Sequence, residues 1–207
     1  MPATAPKLGP YLANLRHLRA FLAVCEFGSI ERASNHLARP KSAVVQSVQG
    51  LECGLGTALF ERRPRAMLCN AHGAVVRRRA ERALRAFGAG LDALSGTDGT
   101  PDASMAFPNS LFHEGRLQAF MAVAAGGDPR TAAAAIGVTP LAITRGIHDL
   151  ERSLDTPLFT RGVDGWVATG AGQSFAAHVR RALFELHQIG VEVEQPARRS
   201  REGGNPC

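Results

Sequence analysis

One plan is written twice in this chain, at a constant offset of ninety-nine residues. Leu18, Ala20, Phe21, Ala23 and Val24 return as Leu117, Ala119, Phe120, Ala122 and Val123. Gly28 and Ala33 return as Gly127 and Ala132. Leu51-Glu52 and Leu55 return as Leu150-Glu151 and Leu154. Thr57, Leu59, Phe60 and Arg62 return as Thr156, Leu158, Phe159 and Arg161. Gly73 and Arg82-Ala83-Leu84 return as Gly172 and Arg181-Ala182-Leu183. No gap is needed anywhere, and chance does not hold register over such a distance. The fold is therefore expected to be two copies of one small domain. A copy of about eighty residues supports a modest core but no roomy ligand cavity.

Charge divides the copies. Residues 1–100 hold 14 Lys+Arg against 7 Asp+Glu, whereas residues 101–207 hold 10 Arg and no Lys against 11 Asp+Glu. A basic first half points to a polyanion, because phosphate neutralisation supplies most non-specific nucleic-acid affinity; a solvated charged surface is the plainer alternative. The second half lacks that signal. No run approaches the roughly 18 apolar residues of a membrane span, and no signal-peptide pattern opens the chain, so no membrane partner is expected. Cys25, Cys53, Cys69 and Cys207 form no CxxC pair. They read as core or incidental thiols in a reducing cytoplasm, with a redox switch or metal site as the alternative.

The pattern predicts a mainly α fold with small β wings. Residues 1–14 read as a flexible arm. Leu18, Phe21, Leu22 and Cys25 then fall at helical spacing, predicting a first helix from Leu15 to about Glu26, stopped by Gly28. Ser29 can cap a second helix that turns Ala33 and Leu37 inward. After a break at Ala38-Arg39-Pro40, Ala43, Val44, Val48 and Leu51 mark a third helix to about Cys53. Two short helices joined by a tight turn match a helix-turn-helix. Leu59-Phe60 and Met67-Leu68 flank the basic loop Arg62-Arg63-Pro64-Arg65, a two-stranded wing. Asn70 caps a long helix over 70–94, with the stripe Gly73, Val76, Ala80, Ala83/Leu84, Phe87, Leu91 and Leu94.

The second copy, over 113–168, is punctuated more clearly. Asp128-Pro129 and Thr139-Pro140 each place a cap before a proline at the first helical position, and Gly137 sits in the turn between them. Thr169 caps the second long helix, expected over 169–194 with the stripe Gly172, Phe175/Ala176, Val179, Ala182/Leu183, Leu186 and Val193. Residues 95–112 read as a flexible connector, and the Arg-rich tail 195–207 as disordered.

Each copy resembles the DNA-binding domain of LysR-type bacterial transcriptional regulators. The resemblance rests on Leu-Arg-x-Phe-x-Ala-Val (Leu18 to Val24), a helix-turn-helix ending in Leu51-Glu52, and the Leu-Gly-x-x-Leu-Phe-Glu-Arg run from Leu55 to Arg62. In the second copy it rests on Leu154 to Arg161 and on Ala168-Thr169-Gly170-Ala171-Gly172. It covers roughly residues 15–94 and 114–193.

The resemblance implies that the third helix of each copy enters the major groove and meets base edges with its N-terminal half. Lys41, Ser42, Gln46 and Gln49 would do so in the first copy, and Thr144 and Arg145 in the second. The second copy departs from the family there: Pro140 and Leu141 offer no hydrogen bonds, and Asp149 brings negative charge near the same surface. In the first copy, Val45 stands in place of a hydroxyl residue. Arg62, Arg63 and Arg65 form a basic hook able to contact phosphate or enter the minor groove, of which the second copy keeps Arg161. A salt bridge holding the wing is the alternative role of Arg62 and Arg161. Phe60, Phe159 and Trp166 are expected in the core. Arg77-Arg78-Arg79 reads equally as a backbone contact or a solvated helix face.

Nothing predicts an enzyme, metal or cofactor. Gly88-x-Gly90 and Gly170-x-Gly172 lack the following strand of a nucleotide fingerprint, and the seven histidines lie in no ligand spacing. The family's effector domain of about two hundred residues has no room beside two copies, so no small-molecule effector is expected within this chain. The expected function is a LysR-type regulator that binds double-stranded DNA, on the nucleoid in the cytoplasm, by site occupancy through two unequal winged helices. The alternative is a DNA-binding-impaired interaction protein that pairs with a full-length relative and antagonises it. Linker helices of this family pair antiparallel between subunits. Here Val76, Ala80, Leu84, Phe87 and Leu91 would meet Phe175, Val179, Leu183 and Leu186 within one chain, as a pseudo-dimer. A homodimer or a heterodimer with a related regulator is the alternative.

Overall fold

The computed structural model describes residues 15–63, 66–95, 114–162 and 165–202. The expected arm over 1–14, the connector from residue 96 onward, Arg65 at the first wing tip and residues 203–207 lie outside the described residues. Each copy runs helix, helix, helix, hairpin, long helix. The first has α1 (Leu15–Phe27), α2 (Ile30–His36), α3 (Lys41–Leu55), β1 (Phe60–Arg63), β2 (Ala66–Cys69) and α4 (Ala71–Ser95). The second has α5 (Glu114–Gly126), α6 (Pro129–Ile136), α7 (Pro140–Leu154), β3 (Phe159–Gly162), β4 (Gly165–Ala168) and α8 (Gly170–Glu202). The chain divides into two compact units. Among the described residues one holds 15–83 with 184–202, and the other holds 84–183. Both long helices therefore contribute to both units.

In the first unit α1 packs on α2 and α3. Leu18, Phe21 and Val24 bury against a stripe of Val44, Val48 and Leu51, with Ala33 from α2. Each fully buried side chain of this size stabilises by about 1.5–3 kcal/mol. Ser29 caps α2 by accepting from the Arg32 amide at 3.1 Å. The turn to α3 takes a positive φ of 48° at Ala38, where the second copy has Gly137 at 75°. Alanine in that region costs about 1–2 kcal/mol that glycine does not, so this turn is relaxed only in the second copy. The strands pair antiparallel, Phe60 opposite Cys69 and Arg63 opposite Ala66. The hairpin joins the core through the Met67 amide, which donates to the Gly28 carbonyl at 2.9 Å. Phe60 tilts against Phe21, ring centres 5.2 Å apart.

The start of α4 and the later part of α8 complete this unit. Arg79, only 15% exposed, donates to Glu185 at 2.6 Å and also to Glu192. Arg78 reaches Glu192 at 2.9 Å, and Arg77 pairs with Glu81 one turn on. Hydrogen bonds from Arg79 hold the Glu192 carboxyl below the usual carboxylate range, and Arg78 adds to this. Arg79 is thus taken up by carboxylates of α8, while Arg77 and Arg78 are paired but remain about half exposed. The tail expected to be disordered from Gln195 is helical as far as Glu202. Once Leu186, Ile189 and Val193 are buried, extending the helix fixes one residue per hydrogen bond, and Ala, Arg and Glu are good formers.

The second unit repeats the core with Leu117, Phe120 and Val123 of α5 against Ile143, Ile147 and Leu150 of α7. Phe159 and Phe175 both tilt against Phe120. Asp128 and Thr139 cap α6 and α7 as their sequence context predicts. The wing register is Phe159 opposite Ala168, and the Trp166 amide donates to the Gly127 carbonyl at 2.8 Å. Within this unit α4 and α8 approach closely at Gly90, where a Cβ would lie 2.9 Å from the Cβ of His178.

Both long helices start hard against the wing. A Cβ on Gly73 would stand 2.2 Å from the Leu59 carbonyl oxygen, and one on Gly172 would stand 2.1 Å from that of Leu158. A backbone atom cannot swing away as a side-chain end can. Gly73→Ala is expected to cost about 1–3 kcal/mol by overpacking, even though alanine favours helix. Gly54→Ala, in open space at the end of α3, is expected to gain about 0.5–1 kcal/mol. Thermal melts of the two variants should move in opposite directions, and a raised midpoint for Gly73→Ala would contradict the close approach.

Candidate nucleic-acid interface

The face of α3 turned away from the core carries the polar residues. Lys41, Ser42, Gln46 and Gln49 are exposed, while Val44, Ser47, Val48 and Leu51 are buried beneath them. Ser42, Gln46 and Gln49 follow helical spacing, so three side chains share one face. Ser47 is turned inward, donating to the Ala43 carbonyl at 2.8 Å and accepting from Arg39 at 3.4 Å. Lys41 is not a free cation. Its ammonium sits 2.5 Å from Glu31 on α2, both ends well exposed, and the hydrogen bond from Lys41 holds the Glu31 carboxyl below its ordinary value. A phosphate would compete with Glu31 for that lysine.

The second copy presents a different face. Arg145 is exposed, but Thr144 is half-buried and spends its hydroxyl on the Pro140 carbonyl at 3.1 Å. Val138 and Leu141 stand exposed at the leading edge of α7, Leu141 at 57%. Asp149, expected to add negative charge to this surface, is instead drawn to arginines. It lies 3.4 Å from Arg116 on α5 and 3.3 Å from Arg152. The reason is a paired exchange between copies. His17 packs where a Cβ on Gly50 would meet its ring at 2.6 Å, and the same two positions in the second copy are Arg116 and Asp149. Burial, with Arg39 nearby, pushes the His17 imidazole below its ordinary value. A second exchange replaces Arg39 and Ser47 by Val138 and Gly146, leaving a cleft of about 220 Å³ beside Arg116 and Ala119.

At the first wing Arg63 is exposed and lies 3.6 Å from Glu61, two residues back on β1. Arg62 belongs to β1 opposite Met67. Arg161 is exposed opposite Trp166. Phe60 and Phe159 are buried as expected; Trp166 is half-buried, 5.8 Å from the rings of both Phe159 and His148. Of the expected linker-helix residues, Val76, Ala80, Leu84, Phe87, Phe175, Val179, Leu183 and Leu186 are buried and Leu91 half-buried. Among the described residues no three His, Cys, Asp or Glu converge on a metal-holding group, and no helix is long and apolar enough to cross a membrane.

Sequence reasoning missed the joint that holds the wing to the third helix. Glu52, near the end of α3, accepts the Leu59 amide at 2.8 Å; Glu151 accepts the Leu158 amide at 2.8 Å and that of Phe159 at 3.1 Å. The signal was present, since a glutamate stands seven residues before the same leucine in both copies.

These are two winged helix-turn-helix modules in tandem, each followed by a long helix. The chain belongs to the family described as bacterial regulatory helix-turn-helix protein, lysR family, whose model matches residues 15–74 and again 115–173. Its class is that of DNA-binding transcriptional regulators rather than enzymes. The chain is 34% identical over 182 residues to the HTH-type transcriptional regulator GalR of Pseudomonas putida (strain KT2440), covering 88% of this chain and 44% of that protein. It is 41% identical over 71 residues to the SDS degradation transcriptional activation protein of Pseudomonas sp. (strain ATCC 19151), covering 34% of this chain and 23% of that one. It thus spans less than half the length of these curated relatives. No solved structure matches it.

Removing the joint is measurable. Glu52→Ala leaves the amide of the buried Leu59 without its acceptor, an expected loss of about 1–3 kcal/mol. Glu52→Gln keeps an acceptor and should lose less. In hydrogen exchange, the Leu59 amide should lose protection in the alanine variant before the α1 amides do.

Proposed function

We propose that this chain is a sequence-specific DNA-binding regulator acting by site occupancy through two unequal winged helices, the first copy being the stronger grip. The observation that carries this reading is the polar face of α3. Ser42, Gln46 and Gln49 stand exposed on one side of a helix whose other side is locked into the core, in the basic half of the chain. Arg62, Arg63 and Arg65 would add sequence-independent grip beside it. Pro140, Leu141 and Thr144 give α7 fewer groups to offer, with Arg145 and Arg161 remaining. The alignment with the GalR relative is longer than one copy and so runs through both, which favours the tandem as the working unit. Such a protein acts on the nucleoid, in the cytoplasm.

Changing Arg62, Arg63 and Arg65 together to alanine is expected to weaken binding at every sequence. It should also flatten the salt dependence by about 0.9 log-log units for each phosphate no longer neutralised. Gln46→Ala should instead relax preference in one half-site, at about 1–3 kcal/mol for each good base pairing removed. Fluorescence anisotropy on selected genomic fragments separates the two effects. Equal loss on changing Thr144 and Arg145 would contradict the asymmetry. The exposed Val138 and Leu141 favour a second reading, in which the chain pairs with a full-length relative and antagonises it. Under that reading the chain alone shifts no fragment and removes the relative from its own.

We further propose that the linker helices pair within one chain. Residue 79 of α4 meets residues 185 and 192 of α8, and residue 90 meets 175 and 178. Position on α8 falls as position on α4 rises, the order an antiparallel pair requires. Both helices belong to one chain, and the tether gives the internal pair a high effective concentration. Exchange of helices between two chains would keep the same pairings. Sedimentation equilibrium at micromolar concentration is expected to return the monomer mass, and a mass near twice that would overturn internal pairing.

A further inference from the structure

We propose that Cys25 and Cys69 form a reversible disulfide that pins the first wing to α1, a thiol-controlled lock that the second copy does not have. The two sulfurs are 2.7 Å apart, approaching the about 2.05 Å of a covalent S–S bond, although the residues lie 44 apart in sequence. Both thiols are half-buried, whereas Cys53 is exposed on α3. Their backbones are already fixed. Cys25 lies one turn before Gly28, whose carbonyl holds the Met67 amide at 2.9 Å, and Cys69 is paired across the hairpin with Phe60. Closing the bond therefore asks for a small movement of sulfur, not of chain.

The duplication supplies the control. The matching positions of the second copy are Ala124 and Ala168, in a wing held by the same backbone bond, from the Trp166 amide to Gly127. This architecture needs no thiol at either place, and both positions change together between copies.

The chemistry assigns the partners different parts. We assign Cys69 as the attacking sulfur: the two thiols share a hydrogen bond in which either can donate, and that bond, with Arg77 near, holds the Cys69 thiol below the ordinary range. Cys25 is held above that range by the same bond and by burial. Against a low-molecular-weight disulfide such as oxidised glutathione, the Cys69 thiolate attacks one sulfur. A mixed disulfide forms and one glutathione thiolate leaves. Cys25 then loses its proton and attacks the Cys69 sulfur, expelling the second glutathione. Two protein thiols are oxidised, one small disulfide is reduced to two thiols, and the reverse exchange restores the protein. The new bond closes a loop across the whole helix-turn-helix, constraining the unfolded chain and raising stability.

The test uses the full chain in buffers of graded reduced-to-oxidised glutathione, trapped with N-ethylmaleimide and mapped by non-reducing mass spectrometry. The expected result is loss of two of the four labelled thiols, a peptide joining Cys25 to Cys69, continued labelling of Cys53, and full reversal by dithiothreitol. The thermal midpoint should rise with oxidation, and Cys25→Ala/Cys69→Ala should show no such rise. Labelling of both cysteines at the oxidised end, a stable glutathione adduct on Cys69 without the cross-link, or a cross-link to Cys53 or Cys207 would each overturn the proposal. The cross-link map on the unaltered chain stands whether or not the double variant folds.

Discussion

Each copy is tied together at one leucine. The Leu59 amide is bonded to Glu52 at the end of α3, its carbonyl accepts the Asn70 amide at 3.0 Å, and its side chain is fully buried. Asn70 also caps α4, accepting the Gly73 amide at 2.9 Å, and donates to the Ala58 carbonyl at 2.8 Å. Leu158 repeats the arrangement with Glu151, Thr169 and Gly172. Three elements meet there: the third helix, the wing and the long helix. Because they are tied through backbone groups, their mutual angles are set by hydrogen-bond geometry more than by packing. Both copies keep the two residues that this joint uses: a carboxylate seven residues before the leucine, and glycine three residues into the long helix.

The two copies show what that joint protects and what it releases. At the joint they agree. Away from it they differ in linked pairs: His17 and Gly50 become Arg116 and Asp149, and Arg39 and Ser47 become Val138 and Gly146. Glu31 and Lys41 become Arg130 and Pro140. The first exchange keeps the net charge, the second loses a charge and volume, and the third trades an ion pair for an arginine and a proline. Arginine can enter behind α7 because aspartate arrives with it; valine and glycine together give up a hydrogen bond and open a cleft. Compensation of this kind lets the outer surface drift while the scaffold stays put.

Much of this was legible in the sequence, because the fold rests on local signals. Apolar spacing placed α1, α3 and α4. Ser29, Asn70, Asp128, Thr139 and Thr169 announced helix starts through oxygens that accept backbone amides two or three residues on. The rest was hidden for a common reason: it depends on partners far away in the chain. Arg79 looks like its neighbours until Glu185 and Glu192, more than a hundred residues later, are brought to it. Asp149 looks like surface charge until Arg116 appears beside it, and Lys41 looks free until Glu31 does. The length of α8 depends on how far its apolar face stays covered, which composition does not report.

Sharing both long helices between the two units has a consequence for how the chain is made. The first winged helix leaves the ribosome early, but its unit is not finished until residues 184–202 arrive, with Glu185 and Glu192 to neutralise Arg79. The second unit, 84–183, is one continuous stretch. The first is thus discontinuous in sequence, and its closing step joins segments separated by about half of the chain. Loops of that length slow folding far more than they reduce final stability. A nascent chain paused midway holds half of a helix pair with its apolar stripe bare. The duplication that doubled the winged helix also made the order of synthesis part of the folding problem.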